Sequence, residues 1–225
     1  MPNVAVIGAS RGIGLEFARQ YAAEGCRVFA STRNPKNPGA LGKLRGDVRV
    51  HHVDVRNDTH IVRLADTLLK SALGVLIHNA GVLGSRGRAS PEETAETMRI
   101  NAEAPIVTVS ALLDSVVASE QKKVVVLSSV QASGRPRPSS PDLYRDSKGE
   151  LNKRFRAIEP EWRARGVTAI ALHPGYVRTD MTGQQASISP EESVSAIRTL
   201  LGTLTPGDSG RFLDYRGRML RGRRY

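Results

Sequence analysis

The chain is short of thiols, of aromatic rings and of acid. Cys26 is the one cysteine among 225 residues. An intramolecular disulfide and a multi-thiolate metal centre are therefore excluded. Phe, Tyr and Trp make up 4% of the residues, too few for the rows of stacking side chains that single-stranded nucleic acids are read with. Asp and Glu number 22 against 33 Lys and Arg, a formal charge of +11. That excess invites an acidic partner, nucleic acid included. No apolar run approaches the roughly 20 residues of a membrane-spanning helix. Met1-Pro2-Asn3 leads straight into a strand-like run rather than into a leader, so the cytoplasm is the expected compartment and no membrane partner is expected. There is no repeat, no low-complexity tract and no linker. One domain over residues 1–225 is expected, and 40% apolar residues can furnish its core.

What is present is alternation. Short β-branched and apolar runs stand at residues 4–7, 28–30, 48–53, 75–77, 124–127, 167–172 and 212–213, mostly separated by longer stretches of helical spacing. Strand-then-helix repetition predicts parallel βαβ units. The fold class is therefore α/β: a doubly wound, Rossmann-type parallel sheet of about seven strands with helices on both faces. Val124-Val125-Val126-Leu127 is apolar on both faces, as a strand covered on each side should be. Ser90-Pro91-Glu92-Glu93 and Ser189-Pro190-Glu191-Glu192 each join a capping serine, a proline in the first turn and a capping-box glutamate. Two loops, a basic one at residues 84–89 and a proline-rich one at residues 133–141, follow strands. Ligand crevices of open α/β sheets lie at that end of the strands.

The first strand runs into Gly8-Ala9-Ser10-Arg11-Gly12-Ile13-Gly14, and a helical stretch over residues 15–23 begins at once. Glycine permits the tight turn, small residues let phosphate approach, and the helix N-terminus offers amides and a positive dipole end. At the first strand of a βαβ chain this points to dinucleotide binding, against the alternative of an ordinary strand-to-helix connection. Gly8, Ser10, Arg11, Gly12, Ile13 and Gly14 are the candidate phosphate residues. The second strand ends in Ser31-Thr32-Arg33. An NAD site usually carries a carboxylate there for the ribose 2′-hydroxyl. Thr32 and Arg33, with Arg11, suit a 2′-phosphate instead. NADP(H) is the expected cofactor; the alternative is that these are generic surface arginines.

Tyr144 and Lys148 stand four residues apart and share a face of a helix. A tyrosine titrates near ~10 in water, and a neighbouring ammonium lowers that value. Leu127-Ser128-Ser129 ends a buried strand and brings a hydroxyl to the mouth of the sheet. Such a serine can hold a carbonyl oxygen while tyrosine delivers the proton.

With these residues in order, the chain resembles the short-chain dehydrogenases/reductases over nearly its whole length. The carriers are the glycine turn, Asp54-Val55, His78-Asn79-Ala80-Gly81, Asn101, Ser128-Ser129, Tyr144 with Lys148, and Pro174-Gly175 followed by Val177, Thr179 and Asp180. The stretch from His173 to Met181 and the ending from Phe212 to Gly217 are most similar to sniffer-type carbonyl reductases and C-factor-like proteins. The resemblance implies a sheet of order 3-2-1-4-5-6-7. It implies Tyr144 as general acid in reduction and base in oxidation, Lys148 tuning it and holding the nicotinamide ribose, and Ser129 polarising the carbonyl. Asn101 would hold a water linking Lys148 to solvent. Asp54 and Val55 would meet the adenine, Asn79, Ala80 and Gly81 would line the adenosine side, and Pro174, Gly175, Val177 and Thr179 the nicotinamide.

The implied activity is an NADPH-dependent carbonyl reductase or alcohol dehydrogenase acting on a small-molecule carbonyl or alcohol. A homo-oligomer, dimer or tetramer, is implied through the helices of Asn101 and Tyr144, with a monomer as the other outcome. Two departures stand out. His78 replaces the usual first asparagine of its motif, and Ser129 lies 15 residues before Tyr144, farther than the family's common spacing. The alternative function is a cofactor-binding regulatory or signalling protein of C-factor type.

His51, His52, His60, His78 and His173 show no ligand spacing, and no metal site is expected. Cys26 reads as a small core residue and Trp162 as core or subunit packing. The basic ending, residues 216–225, reads as a solvated or partner-packed tail, since only Tyr225 is there to stack on a base.

Overall fold

A computed structural model describes residues 1–85, 87–133 and 142–221. Arg86, most of the proline-rich loop and residues 222–225 of the basic ending lie outside the described residues. In chain order the strands and helices are β1 (Asn3–Ile7), α1 (Gly12–Ala23), β2 (Arg27–Thr32), β3 (Val48–His52), α2 (Asp58–Leu68), β4 (Leu73–His78), α3 (Pro91–Met98), α4 (Ala104–Ala111), α5 (Leu113–Val117), β5 (Lys123–Leu127), α6 (Asp142–Ala164), β6 (Thr168–His173), α7 (Pro190–Thr203) and β7 (Phe212–Asp214). Each of the apolar runs has become a strand.

The strands form one seven-stranded sheet of order β3-β2-β1-β4-β5-β6-β7, and every pairing is parallel. This is the expected Rossmann-type sheet. The chain order reverses between β1 and β4, so the crevice of the fold opens at their carboxyl ends. Alternate strand residues feed two cores. Val4, Val6, Ile77, Val125 and Leu172 pack with Phe17 of α1 and Ile197 of α7. Ala5, Ile7, Leu76, Val126 and Ala171 pack with α2, α4, α5 and α6 on the other face.

Of the two helix starts read from sequence, Ser189 forms the full capping box, while at Ser90 only the serine cap forms and the Glu93 carboxylate accepts from Ser85 instead. Ser189 Oγ accepts from Glu192 N at 3.1 Å while Glu192 Oε2 accepts from Ser189 N at 2.8 Å. Ser90 Oγ accepts from Glu93 N at 3.2 Å. Two boundaries differ. Helix α1 begins at Gly12 rather than Leu15, and no side chain caps it. Between α3 and α4 lies one wide π turn, Arg99–Glu103, and Asn101 sits in it. Among the described residues no helix is long and apolar enough to cross a membrane.

Trp162 is 1% exposed and meets the Phe155 ring edge-on, with centroids 6.2 Å apart. It belongs to the core and not to a surface. Trp162→Ala should therefore destabilise the fold by about 3–5 kcal/mol. Urea unfolding followed by circular dichroism measures this; a loss below 1 kcal/mol would contradict the packing described.

Candidate active site

The crevice is a cleft whose walls come from the turns after β1, β2, β3, β4, β5 and β6. At its floor the first glycine turn meets the turn after β4. Gly8 has φ +85°, and a Cβ there would lie 2.8 Å from the backbone of Ala80. Asn79 Nδ2 donates to Gly8 O at 2.6 Å, and the Asn79 and Ala80 amides both donate to Ile7 O at 2.9 Å. A Cβ on Gly14 would lie 2.1 Å from Gly8 O. Gly14 thus serves packing of helix on strand and does not line the cleft. Gly8, Ser10, Arg11, Gly12 and Ile13 do line it. Ser31 Oγ accepts from Gly8 N at 2.9 Å, a support the sequence did not reveal.

One end of the cleft gathers Thr32, Arg33, Val53, Asp54, Val55 and Arg56. Arg33 makes no ion pair among the described residues, and its charge acts on Asp54 through space. Thr32 Oγ1 accepts from Asn34 N at 3.2 Å. Arg11 faces the other wall, where its Nη1 lies 3.4 Å from Asp180 Oδ2, with both side chains largely exposed. The Thr179 side chain approaches Gly12, within 3.2 Å of where a Cβ would stand.

The other end holds Asn79, Ala80, Gly81, Ser128, Tyr144, Lys148, Pro174, Thr179 and Met181. Gly175 and Val177 stand behind this surface: Gly175 packs against Ile188 and Tyr215, and Val177 is 2% exposed. The two serines have different partners. Ser128 Oγ donates to Asn152 Oδ1 at 2.7 Å. Ser129 is buried beside Ser128; its Oγ accepts from Gln131 N at 3.2 Å, and its side chain acts to lower the Tyr144 phenol.

Lys148 Nζ lies 5.9 Å from the centre of the Tyr144 ring and donates to Leu127 O at 2.8 Å. Asn101 is fully buried. Its Oδ1 accepts from Val82 N at 2.9 Å, and its Nδ2 donates to Val82 O at 2.8 Å and to Ser147 Oγ at 3.0 Å. Ser147 Oγ in turn donates to Tyr144 O at 2.8 Å. Asn101 therefore ties the turn after β4 to the first turns of α6 and is not itself on the cleft surface.

The electrostatics correct one expectation. Lys148 was expected to hold the Tyr144 phenol below its ordinary value. In the structure burial dominates: it pushes Tyr144 up to about 12, against the lowering effect of the Ser129 side chain. Burial also brings Lys148 down to about 8. His78 is fully buried, and desolvation, reinforced by the Lys148 charge, lowers it to about 3. At this end of the cleft Lys148 is buried and Tyr144 half-buried.

With this geometry established, comparison with known proteins is direct. A family model described as short chain dehydrogenase matches residues 2–189. The chain belongs to that family. An uncharacterised oxidoreductase of Saccharomyces cerevisiae is 30% identical, covering 94% of each chain. The protein named C-signal of Myxococcus xanthus is 33% identical over 68% of this chain and 95% of its own. Among solved structures, the carbonyl reductase Sniffer of D. melanogaster superposes with TM-score 0.90 at 23% identity, covering 98% of this chain and 99% of that one. The NADPH-bound carbonyl reductase from chicken fatty liver superposes with TM-score 0.89 at 27% identity, over 97% and 98%.

The lowered Lys148 value has a measurable sign. Between pH 8 and 10.5 the folded protein holds fewer protons at this site than the unfolded chain, so stability from this group rises with pH. Relative to Lys148→Met, the wild type should gain about 2 kcal/mol between pH 8 and 9.5. Unfolding titrations of both proteins across that range check it, and a pH-independent difference contradicts it.

Proposed function

We propose that the chain is an NADPH-dependent oxidoreductase that moves hydride between nicotinamide and a small-molecule carbonyl or alcohol. The observation that carries this reading is one cleft with two chemically distinct ends. The glycine turn and Arg33 stand at one end, and Ser129, Tyr144 and Lys148 converge at the other.

The residues fit such a cofactor. Gly12 and Ile13, in the first turn of α1, line the cleft, and no side chain caps that helix, an arrangement that suits phosphate. The floor at Gly8 is too close to Ala80 for any side chain, which leaves room for a backbone-hugging diphosphate. Arg33, with Arg11, supplies guanidinium for a 2′-phosphate. Asp54 and Val55 take the adenine, Asn79 to Gly81 the adenosine side, and Pro174 and Thr179 the nicotinamide. Gly175 and Val177 support that loop from behind. Bound there, the nicotinamide supplies the hydride in reduction and accepts it in oxidation.

The chain's own residues handle the oxygen and the proton. In reduction Tyr144 Oη donates its proton to the carbonyl oxygen as hydride reaches the carbonyl carbon; in oxidation it takes the proton back. A phenol held near 12 keeps its proton at neutral pH, which suits the acid role. Ser129 hydrogen-bonds the same oxygen and steers it toward Tyr144. Lys148, anchored on Leu127 O, gives positive potential beneath the phenol and holds the ribose. Asn101 sets the turn at Val82 and, through Ser147, the start of α6; a water beside it would connect Lys148 to solvent. The regulatory alternative gains no support from the site, since nothing in the acid–base set is missing.

Tyr144→Phe should lower NADPH-dependent reduction of a good carbonyl substrate by about 10²–10⁴-fold, read as loss of the reduced cofactor's absorbance across a panel of carbonyl compounds. Wild-type turnover in that variant would overturn the mechanism. Arg33→Ala should cut the preference for NADPH over NADH by about tenfold. Direct titration with both cofactors measures it, and equal affinity in the wild type would remove the argument for a phosphate at Arg33.

A further inference from the structure

Arg56 was not singled out by any motif, yet it lines the adenosine end of the cleft. Its guanidinium is clamped. Nε donates to Asp54 Oδ1 at 2.9 Å and Oδ2 at 3.1 Å, and Nη2 donates to Asp54 Oδ2 at 2.5 Å. Nη1 donates to Glu96 Oε1 at 2.7 Å. The Arg56 amide also donates to Asp54 Oδ1 at 3.0 Å. Two carboxylates thus face one guanidinium, so Arg56 carries no spare charge for a phosphate. A second tie runs alongside it, from Arg99 to Asp58 at the start of α2. The turn after β3 is therefore braced against the α3 segment at two points.

We propose that Arg56, braced by Glu96, is a positioning residue that fixes the Asp54 carboxylate for the adenine amino group of the cofactor. The proposal rests on the reading that the cleft takes a nicotinamide dinucleotide with its adenine beside Asp54. A carboxylate gripped side-on by a planar fork cannot rotate freely, so its remaining lone pairs point in one set of directions. An adenine amine, a donor, is accepted there; a carbonyl oxygen at the same ring position meets a fixed negative charge and is rejected. Because Arg56 acts through Asp54 and not on phosphate, its contribution is the same for NADPH and NADH.

The test compares wild type, Arg56→Ala, Arg56→Lys and Glu96→Gln, each checked for an unchanged circular dichroism spectrum. The probes are NADPH, NADH and their hypoxanthine analogues, in which the adenine amine is replaced by a carbonyl. Binding is read from the fluorescence of the reduced nicotinamide. In Arg56→Ala both natural cofactors should weaken by the same factor, about tenfold, and the preference for adenine over hypoxanthine should collapse. Arg56→Lys should not restore it, because a point charge cannot grip both oxygens. Glu96→Gln, which leaves the Asp54 clamp in place, should lose part of the preference.

Loss confined to NADPH would make Arg56 a phosphate ligand and overturn the proposal. So would an unchanged adenine preference in Arg56→Ala with tight wild-type binding. A wild type that binds none of the probes overturns the cofactor reading itself, and the proposal with it.

Discussion

The site depends on how closely the ends of β1 and β4 approach each other. Asn79 Nδ2 reaches across to Gly8 O, and two successive amides of the β4 turn share Ile7 O. Ala80 lies against Gly8, where no side chain could stand. A parallel sheet that reverses its winding between these strands leaves a gap at their carboxyl ends. Here that gap is pinned at its floor by backbone contacts rather than filled by side chains. The consequence is a cleft deep enough for an extended ligand and rigid where a diphosphate would lie. Gly14 extends the same constraint into α1, since its missing Cβ lets the helix start directly over Gly8 O.

The acid–base end is built on a second constraint, the burial of charge. Lys148 keeps its ammonium inside the protein, where it donates to Leu127 O. That burial is what lowers it to about 8. Its field and its dry surroundings keep His78 neutral, so no competing cation forms behind it. The phenol of Tyr144 is pushed the other way, to about 12. Desolvation thus moves a cationic group and a phenol apart from their usual near-coincidence and gives each one protonation state at neutral pH.

Much of this was legible in the sequence. The strands announced themselves because buried parallel strands are runs of β-branched residues, and the sheet order followed from the resemblance. Ser90 and Ser189 announced helices because capping is local. The glycine turn, Tyr144, Lys148 and the serine pair were readable because their spacing along one element fixes their relation in space. What the sequence did not show was set by partners far away in the chain. Gly14, Gly175 and Val177 do not line the cleft, and the spacing of a motif does not say which of its residues pack and which are presented. Asn101 was assigned to a helix, but it sits in a π turn that aims its amide at Val82 and Ser147, and no periodicity marks such a turn. Arg56 was invisible because its role is written in Asp54 and Glu96 together, and the latter lies 40 positions away.

The arginine excess can now be resolved into kinds. Several arginines pair with carboxylates on the surface, where such pairs contribute little, while Arg19 and Arg163 meet the buried carboxylates of Glu16 and Glu159. In the cleft the three arginines differ in how far they are compensated. Arg56 is held by two carboxylates. Arg11 has one, Asp180, in an exposed and weakly held pair. Arg33 has none at ion-pair distance among the described residues, and its charge reaches only as far as lowering Asp54. Positive potential is therefore unspent at Arg33, weakly committed at Arg11 and neutralised at Arg56. Arg33, next to the end of β2, is thus the least compensated of the three. The net charge of the whole chain carries no such information. The sorting of its arginines by partner does, and it separates uncompensated from compensated charge within one cleft.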